Sequence, residues 1–202
     1  MKDAYIYRDQ PGEACRPVIF AFHGTGGDEN QFFDLAGDLM PRGKVFSPRG
    51  DVSEHGAARF FRPTGEGVYD MEDLARAVDQ MAGFFDAHKL DQARVIGIGY
   101  PNGAIILAVL SLTYPDLFDD MVRMHPLIPW APDAVPDLPG KNVLITAGRR
   151  DPIGPAPLTQ RLADFYTAKG AAAELVRHEG GHDLRPSEIN AARGFLRLKA
   201  AA

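Results

Sequence analysis

Apolar residues in this chain fall into two alternating patterns. Short runs in which almost every residue is apolar predict buried strands, because a strand covered on both faces is apolar at successive positions. Longer stretches with apolar residues three and four positions apart predict amphipathic helices. The predicted strands are residues 18–22, 45–47, 94–98, 121–124, 143–147 and 174–177, and the predicted helices are residues 28–41, 70–85, 102–114, 158–170 and 187–196.

Residues with strong preferences for helix ends accompany these helices. Asp28, Asp70 and Ser187 precede apolar helical stretches and are expected N-terminal caps, since their side chains accept hydrogen bonds from free backbone N–H groups. Gly170 is expected to end a helix in the left-handed conformation. The chain therefore carries start and stop signals as well as the hydrophobic pattern.

Strands and helices alternate along the whole chain, which predicts the α/β class. We expect a mainly parallel, doubly wound sheet with helices on both faces. Residues 48–66 predict a long loop. Residues 126–139 predict a proline-rich loop around Trp130, which either walls a pocket or only connects two elements. No linker or internal repeat divides residues 1–202, so a single domain is expected.

The amino-acid composition limits which binding partners and which cellular compartment we expect for this chain. Hydrophobic residues make up 45% of the 202 residues and charged residues 24%, as in a globular protein, and the net charge of −5 disfavours a nucleic-acid partner. Cys15 is the single cysteine, which excludes an internal disulfide and fits a reducing compartment. The longest apolar run, residues 104–110, is too short to span a bilayer, and the first residues lack a signal-peptide pattern. No membrane association and a cytoplasmic location are therefore expected.

One turn points to a specific chemistry. Between a predicted strand and a predicted helix lies Gly99-Tyr100-Pro101-Asn102-Gly103, which has the form G-x-S-x-G with proline in place of the serine. In α/β-hydrolases this turn carries the nucleophile at a sharp bend from strand to helix. The chain thus has the framework of a nucleophile elbow without its hydroxyl.

Asp151 and His182 occupy the places of the other two triad members. Each comes just after a predicted strand, and the carboxyl ends of parallel strands are where open α/β sheets place their sites. The order of position 101, aspartate and histidine is also that of α/β-hydrolases. A single loop aspartate is usually solvated and a single histidine usually structural, but this shared placement favours an Asp–His pair.

Two backbone N–H groups are candidates for an oxyanion hole. Thr25 lies in the glycine-rich turn after the first predicted long strand, and Asn102 directly follows the nucleophile position. Alternatively, the glycines around Thr25 only form a tight turn. A phosphate-binding loop is disfavoured because no Gly-Lys-Ser or Gly-Lys-Thr follows them.

Several short segments together resemble the phospholipase/carboxylesterase family of small bacterial α/β-hydrolases. The resemblance spans nearly the whole chain and implies the α/β-hydrolase fold without a large lid, acting on small carboxylic esters with no cofactor. It also implies that Asp151 and His182 are triad members and that Thr25 and Asn102 form the oxyanion hole. The segments are His23-Gly24-Thr25-Gly26-Gly27-Asp28-Glu29, Pro48-Arg49-Gly50-Asp51, Gly99-Tyr100-Pro101-Asn102-Gly103, His125-Pro126-Leu127-Ile128-Pro129, Gly148-Arg149-Arg150-Asp151-Pro152 and Gly180-Gly181-His182.

Position 101 departs from the pattern of that family. The resemblance implies a serine there, and this chain has Pro101. Proline cannot form an acyl-enzyme, and its ring fixes φ near −65°, whereas the elbow residue has a positive φ in the family's structures. We therefore expect a locally rebuilt elbow and an altered direction of the Asn102 N–H. A cis Tyr100–Pro101 bond is an infrequent alternative.

Other nucleophiles and metal sites fit the sequence less well. Cys15 lies in a predicted loop, and neither Ser47 nor Ser53 lies on an elbow, so a water activated by His182 is the better substitute. His55 matches no metal-binding spacing, and no metal is predicted. His125 is interpreted as packed or hydrogen-bonded rather than catalytic.

Two hypotheses remain for the function. The first is a carboxylic-ester hydrolase scaffold that is nucleophile-deficient at Pro101, with weak or no esterase activity. The second is a non-catalytic small-molecule binder, or a non-hydrolytic enzyme, that uses the same pocket. Retention of Asp151 and His182 favours the first. A homodimer is left open, because many members of the family are dimers while no interface stripe is evident.

Overall fold

A mainly parallel sheet forms the centre of the computed structural model, which describes residues 5–65, 68–88, 94–128 and 135–200. In chain order the strands are β1 Tyr7–Gln10, β2 Val18–Phe22, β3 Lys44–Pro48, β4 Val52–Glu54, β5 Ala57–Arg59, β6 Pro63–Gly65, β7 Val68–Tyr69, β8 Val95–Gly99, β9 Asp120–Met124, β10 Asn142–Gly148 and β11 Ala172–His178. The helices are α1 Phe33–Leu39, α2 Met71–His88, α3 Asn102–Thr113, α4 Ala156–Ala168 and α5 Pro186–Ala200, with a 3₁₀ turn at Pro115–Leu117.

Seven of the described strands pair in the order β1-β3-β2-β8-β9-β10-β11. β1 pairs antiparallel to β3 and every other pair in this sheet is parallel. All six predicted strands are present, each within two residues of its predicted ends. β1 was not predicted, because its sequence YRDQ is polar. It lies at an edge of the sheet, where no continuous apolar run is required.

Strand β2 shows how the sheet separates two hydrophobic cores. Phe20 and Phe22 pack into the core under α2, α3 and α4, whereas Ile19 and Ala21 pack into the core under α1 and α5. Successive side chains of a strand point to opposite faces, so five consecutive buried residues are apolar throughout. The prediction of helices on both faces is confirmed.

Two of the expected helix ends are confirmed and two are wrong. The Asp73 N–H donates to Asp70 Oδ1 at 3.0 Å, and Gly170 has φ +84° directly after α4. Asp28 is not a cap, because α1 begins only at Phe33; its carboxylate accepts the Asn30 N–H instead.

Ser187 is the second wrong cap, since α5 begins one residue before it. Pro186 has the fixed φ that suits a first helical position. The N-cap position is Arg185, and the Glu188 carboxylate accepts the Arg185 N–H at 2.7 Å. This is the return bond of a capping box, made three residues into the helix.

The predicted long loop at 48–66 is also wrong, because β4 and β5 form a hairpin there and β6 pairs with β7. His55 and Gly56 turn the first hairpin with φ of +50° and +88°. Strands of three residues are too short to show a period, which is why the pattern missed them. Trp130, and with it much of the proline-rich loop, lies outside the described residues.

None of the helices in the described ranges combines the length and the apolar character needed to cross a membrane. The single domain over residues 1–202 stays a prediction.

Candidate active site

The turn between β8 and α3 is held by two close backbone approaches. A Cβ on Gly103 would lie 2.3 Å from the Phe22 carbonyl oxygen, and a Cβ on Gly99 would lie 2.5 Å from the Gly103 carbonyl carbon. The Gly103 N–H also donates to the His23 carbonyl at 3.1 Å. Both positions therefore require glycine for steric reasons, and the helix begins directly against the sheet.

Pro101 lies at the tip of this turn in a right-handed helical conformation. Its φ is −67° and its ψ is −34°, and it precedes the first residue of α3. The predicted negative φ at Pro101 is confirmed, while a rebuilt elbow relative to the family stays a prediction. The cis alternative is wrong, because no described peptide bond is cis. Asn102 is the first residue of α3, so its N–H has no acceptor within the helix; the direction of this N–H stays a prediction.

Asp151 and His182 form a hydrogen-bonded pair at the carboxyl ends of β10 and β11. His182 Nδ1 lies 2.7 Å from Asp151 Oδ2. Their two loops touch, because a Cβ on Gly148 would lie 2.1 Å from the Gly181 carbonyl oxygen. A carboxylate only accepts hydrogen bonds, so His182 Nδ1 carries a proton and donates it to Asp151. The structure thus brings the two residues together as the sequence predicts.

The Asp151 carboxylate is buried and held by N–H donors. Oδ1 accepts the backbone N–H groups of Ile153 and Gly154, each at 2.9 Å. Burial by itself raises the pKa of Asp151, but the N–H donors of Gly154, His125 and His182 outweigh it and lower the pKa to about 2. The Asp151 carboxylate is therefore ionised at neutral pH.

His125 and Glu188 extend this pair into a buried network. His125 Nδ1 lies 2.8 Å from Asp151 Oδ2, and His125 Nε2 lies 3.1 Å from Glu188 Oε1. His178 Nε2 lies 3.2 Å from the other oxygen of Glu188. The interpretation of His125 as hydrogen-bonded is confirmed. Glu188 was missed, and the only sequence signal for it is its capping-box spacing from Arg185.

The segments that carry Thr25 and Asn102 are both hydrogen-bonded to β5 or to the residue that follows it. The Gly26 N–H donates to the Ala58 carbonyl at 3.0 Å, and the Phe60 N–H donates to Asn102 Oδ1 at 2.9 Å. The hairpin therefore fixes the spacing between the glycine-rich turn and the start of α3.

The His23 side chain holds the glycine-rich turn in place by two hydrogen bonds. Its Nδ1 lies 2.7 Å from the Gly24 carbonyl and its Nε2 accepts the Gly50 N–H at 2.8 Å. Nδ1 is therefore the protonated nitrogen. Burial lowers the pKa of His23, which keeps the ring neutral. A Cβ on Gly24 would lie 3.0 Å from the Tyr100 ring and 3.1 Å from Pro101, so the turn packs directly on the elbow.

A cavity of about 730 Å³ joins these elements. Its size is in the range of small-molecule sites. Arg59 and Glu54 form an ion pair at 2.8 Å on its wall. The lining residues are Thr25, Glu54, Arg59, Pro63, Thr64, Tyr69, Tyr100, Pro101, Asn102, Ile105, Leu127, Ile153 and His182.

The other side chains considered as nucleophiles do not line this cavity. Cys15 is exposed in a loop, and Ser53 is exposed on β4. Ser47 is buried and donates to the Ala21 carbonyl.

Among the residues that the structure describes, two groups of neighbouring side chains have the residue types that bind metals. They are His125 with Asp151 and His182, and His125 with His178 and Glu188. The 2.7 Å and 2.8 Å contacts at Asp151 are hydrogen-bond distances, so the first group fits a network that shares protons. The absence of a metal or other cofactor stays a prediction.

Comparisons with known proteins agree with this architecture. No family model matches the chain. The chain is 34% identical over 184 residues to "Putative hydrolase MhqD" of Bacillus subtilis (strain 168), covering 89% of this chain and 92% of that protein. Among solved structures, the protein Atu2452 of unknown function from Agrobacterium tumefaciens str. C58 is 52% identical with a TM-score of 0.91, over 98% of both chains.

A carboxylesterase is also among the similar structures. The Bacillus cereus carboxylesterase is 32% identical with a TM-score of 0.92, over 97% of this chain and 95% of that one. The predicted α/β-hydrolase fold is confirmed by these neighbours and by the mainly parallel sheet between two layers of helices. The chain belongs to the carboxylesterase-like hydrolase family that includes MhqD.

Proposed function

We propose that this chain is a nucleophile-deficient ester hydrolase, which binds small carboxylic esters in the cavity and cleaves them weakly or not at all. One observation carries the proposal. Pro101, which has no hydroxyl, lines the same cavity as His182 and as the two oxyanion-hole candidates, Thr25 and Asn102. The described part of the site has a base and candidate oxyanion donors, while the nucleophile position itself has no hydroxyl.

A water molecule supplies the missing nucleophile in this proposal. His182 Nε2 takes a proton from the water while the water oxygen bonds to the ester carbonyl carbon. Backbone N–H groups of Thr25 and Asn102 would stabilise the negative oxygen of the tetrahedral intermediate. The bond to the alcohol oxygen then breaks, His182 returns the proton to that oxygen, and acid and alcohol leave. No acyl-enzyme forms.

Such a reaction is expected to be slow. Proteases stripped of triad members retain roughly 10³–10⁴-fold catalysis over water from their oxyanion hole and substrate binding. This range is an upper guide here, because the elbow has a different backbone conformation. Steady turnover without an initial burst is the expected kinetic behaviour.

Three forms of the chain test the proposal on p-nitrophenyl acetate. The parent is compared with Pro101→Ser, which adds a hydroxyl, and with Pro101→Ala, which removes the ring but adds none. We expect a burst of p-nitrophenol and faster turnover only for Pro101→Ser. His182→Ala is expected to abolish any activity of the parent. Equal rates for the serine and alanine variants would contradict the proposal.

A binding protein is the second candidate, and the lack of a hydroxyl at Pro101 is the observation that favours it. Such a protein would use the cavity without cleaving its ligand. The amide analogue 4-nitroacetanilide distinguishes the two by calorimetry. Binding to the parent together with an inert Pro101→Ser variant supports the binder. A cytoplasmic location and a homodimer stay predictions.

A further inference from the structure

His125 lies between two carboxylates with no exposure to solvent. Its Nδ1 lies 2.8 Å from Asp151 Oδ2 and its Nε2 lies 3.1 Å from Glu188 Oε1. It follows β9 and has a left-handed backbone with φ +52°. A non-glycine residue with positive φ is uncommon and is often found at functional sites. Both ring nitrogens therefore face acceptors, and neither faces water.

Both carboxylates are ionised. Asp151 accepts two backbone N–H groups, as described above. Glu188 accepts the Thr146 hydroxyl at 2.6 Å and the Arg185 N–H at 2.7 Å. Burial raises the pKa of Glu188, but hydrogen bonds from His125, Thr146 and Arg185 outweigh it and lower that pKa.

A neutral imidazole does not fit between two such anions. It has one N–H donor and one lone pair, and an ionised carboxylate has only lone pairs. One of the two contacts would then set a lone pair against a buried anion. Protonation of both nitrogens turns both contacts into charge-assisted hydrogen bonds. Burial lowers the pKa of His125 and the two carboxylates raise it, and the net change is a rise.

We propose that His125 is a positioning residue, held as an imidazolium between Asp151 and Glu188, which acts on His182 through the Asp151 oxygen that both histidines contact. Both histidines donate to the same oxygen, Asp151 Oδ2, and their ring centroids are 5.0 Å apart. A positive charge on His125 therefore disfavours a second positive charge on His182. Only neutral His182 can take a proton from water, so this consequence rests on the proposed function.

The other ring groups that face His125 are Tyr100 and His178. Their centroids lie 5.7 Å and 5.5 Å from the His125 ring. Neither lies between His125 and the two carboxylates. The charge of His125 is therefore set by Asp151 and Glu188, the two carboxylates that contact its ring nitrogens.

Nitrogen NMR on the full chain tests the protonation of His125 without any need for activity. Ring nitrogens are followed from pH 5 to 9, with His125 assigned by His125→Asn, since asparagine tolerates positive φ. His55→Asn is the matched control, because His55 has a similar φ of +50° but is exposed. We expect both His125 nitrogens to carry protons at pH 7. An unprotonated His125 nitrogen at pH 7 would overturn the proposal.

The same spectra test the effect on His182. In His125→Asn, the pH at which His182 Nε2 gains its proton is expected to rise, because a neighbouring positive charge has been removed. His55→Asn is expected to leave that pH unchanged. A purely structural role for His125 predicts no such rise. If His125→Asn does not fold, Glu188→Gln replaces it: loss of that anion is expected to deprotonate His125 at lower pH than in the parent, and an unchanged His125 would contradict the proposal.

These readouts separate the two proposals. Failure of Pro101→Ser to hydrolyse the ester contradicts the proposed function but leaves the nitrogen spectra unaffected. A neutral His125 contradicts the inference whatever the ester assay shows.

Discussion

The backbone N–H of Phe60 donates to the side-chain oxygen of Asn102 over 2.9 Å. Asn102 is 2% exposed, so this hydrogen bond is shielded from water. It ties the chain after β5 to the first residue of α3, beside the elbow. Two residues earlier, the Ala58 carbonyl accepts a hydrogen bond from the Gly26 N–H of the glycine-rich turn. A short hairpin thereby holds both segments that offer oxyanion donors.

Asn102→Ala is expected to lower the free energy of unfolding by about 1–3 kcal/mol, because it leaves the buried Phe60 N–H without an acceptor. Urea unfolding measures this change. Asn190→Ala on the exposed face of α5 is the matched control and is expected to stay within about 0.5 kcal/mol of the parent. Equal stabilities for the two variants would show that the hydrogen bond contributes little.

Gly103→Ala is expected to destabilise the fold by about 1–3 kcal/mol or more, because its Cβ would meet the Phe22 carbonyl oxygen at 2.3 Å. Gly83→Ala is the matched control, since Gly83 also lies in a helix but has no atom within 4 Å of an added Cβ. That variant is expected to gain about 0.5–1 kcal/mol from helix propensity. Thermal unfolding distinguishes the two, and the same sign for both would refute the steric argument.

Arg123→Met is expected to leave stability unchanged or to raise it by about 1–4 kcal/mol. The guanidinium is fully buried and lies 4.3 Å from the Tyr166 ring centroid, with Ser111 Oγ as an acceptor at 2.6 Å. Within the described residues its Nε and Nη1 have no hydrogen-bond partner. Methionine fills the space without a buried charge. Urea unfolding measures the change. If Arg123→Met lowers the free energy of unfolding by more than about 2 kcal/mol, the Arg123 charge is compensated in the folded chain.

Stability is expected to fall between about pH 4 and pH 2, in part through Asp151. Its pKa is lowered from 3.8 to about 2 in the folded chain, so the unfolded state binds the proton first as the pH falls. The stabilisation is present above pH 4 and is lost as the pH approaches 2. Asp151→Asn is expected to flatten the slope of unfolding free energy against pH in this window. If the slope of unfolding free energy against pH in Asp151→Asn equals that of the parent, other groups cause the acid sensitivity.

His125 acts with the opposite sign. Its raised pKa means that the folded chain holds a proton that the unfolded chain releases above about pH 6.5. That stabilisation is present at lower pH and is lost as the pH rises through the raised value. Melting temperature against pH is expected to fall less steeply on the alkaline side in His125→Asn than in the parent, and identical alkaline slopes would contradict it.

The sequence predicted the parts of the site that depend on topology. Asp151 and His182 follow strands that neighbour each other in a parallel sheet, so the order of elements brings them to one edge. Pro101 restricts its own φ, and the observed −67° follows from the ring. These features need only local chemistry and the alternation of strands and helices.

The parts that depend on three-dimensional contact could not be predicted. Glu188 reaches His125 from α5, and nothing in the spacing of two residues 63 positions apart indicates that contact. The hairpin β4–β5 has strands of three residues, which carry no readable period. Buried polar networks and short hairpins are set by tertiary packing, which overrides local pattern.

Pro101 has a right-handed helical backbone, a conformation that other residues also adopt. Serine tolerates a φ near −67°, and proline and serine codons differ by one base. Under the proposed function, a single point mutation separates this chain from one that carries a hydroxyl at its elbow. Introducing serine at position 101, with no other change to the chain, would therefore test whether this one difference accounts for the missing nucleophile.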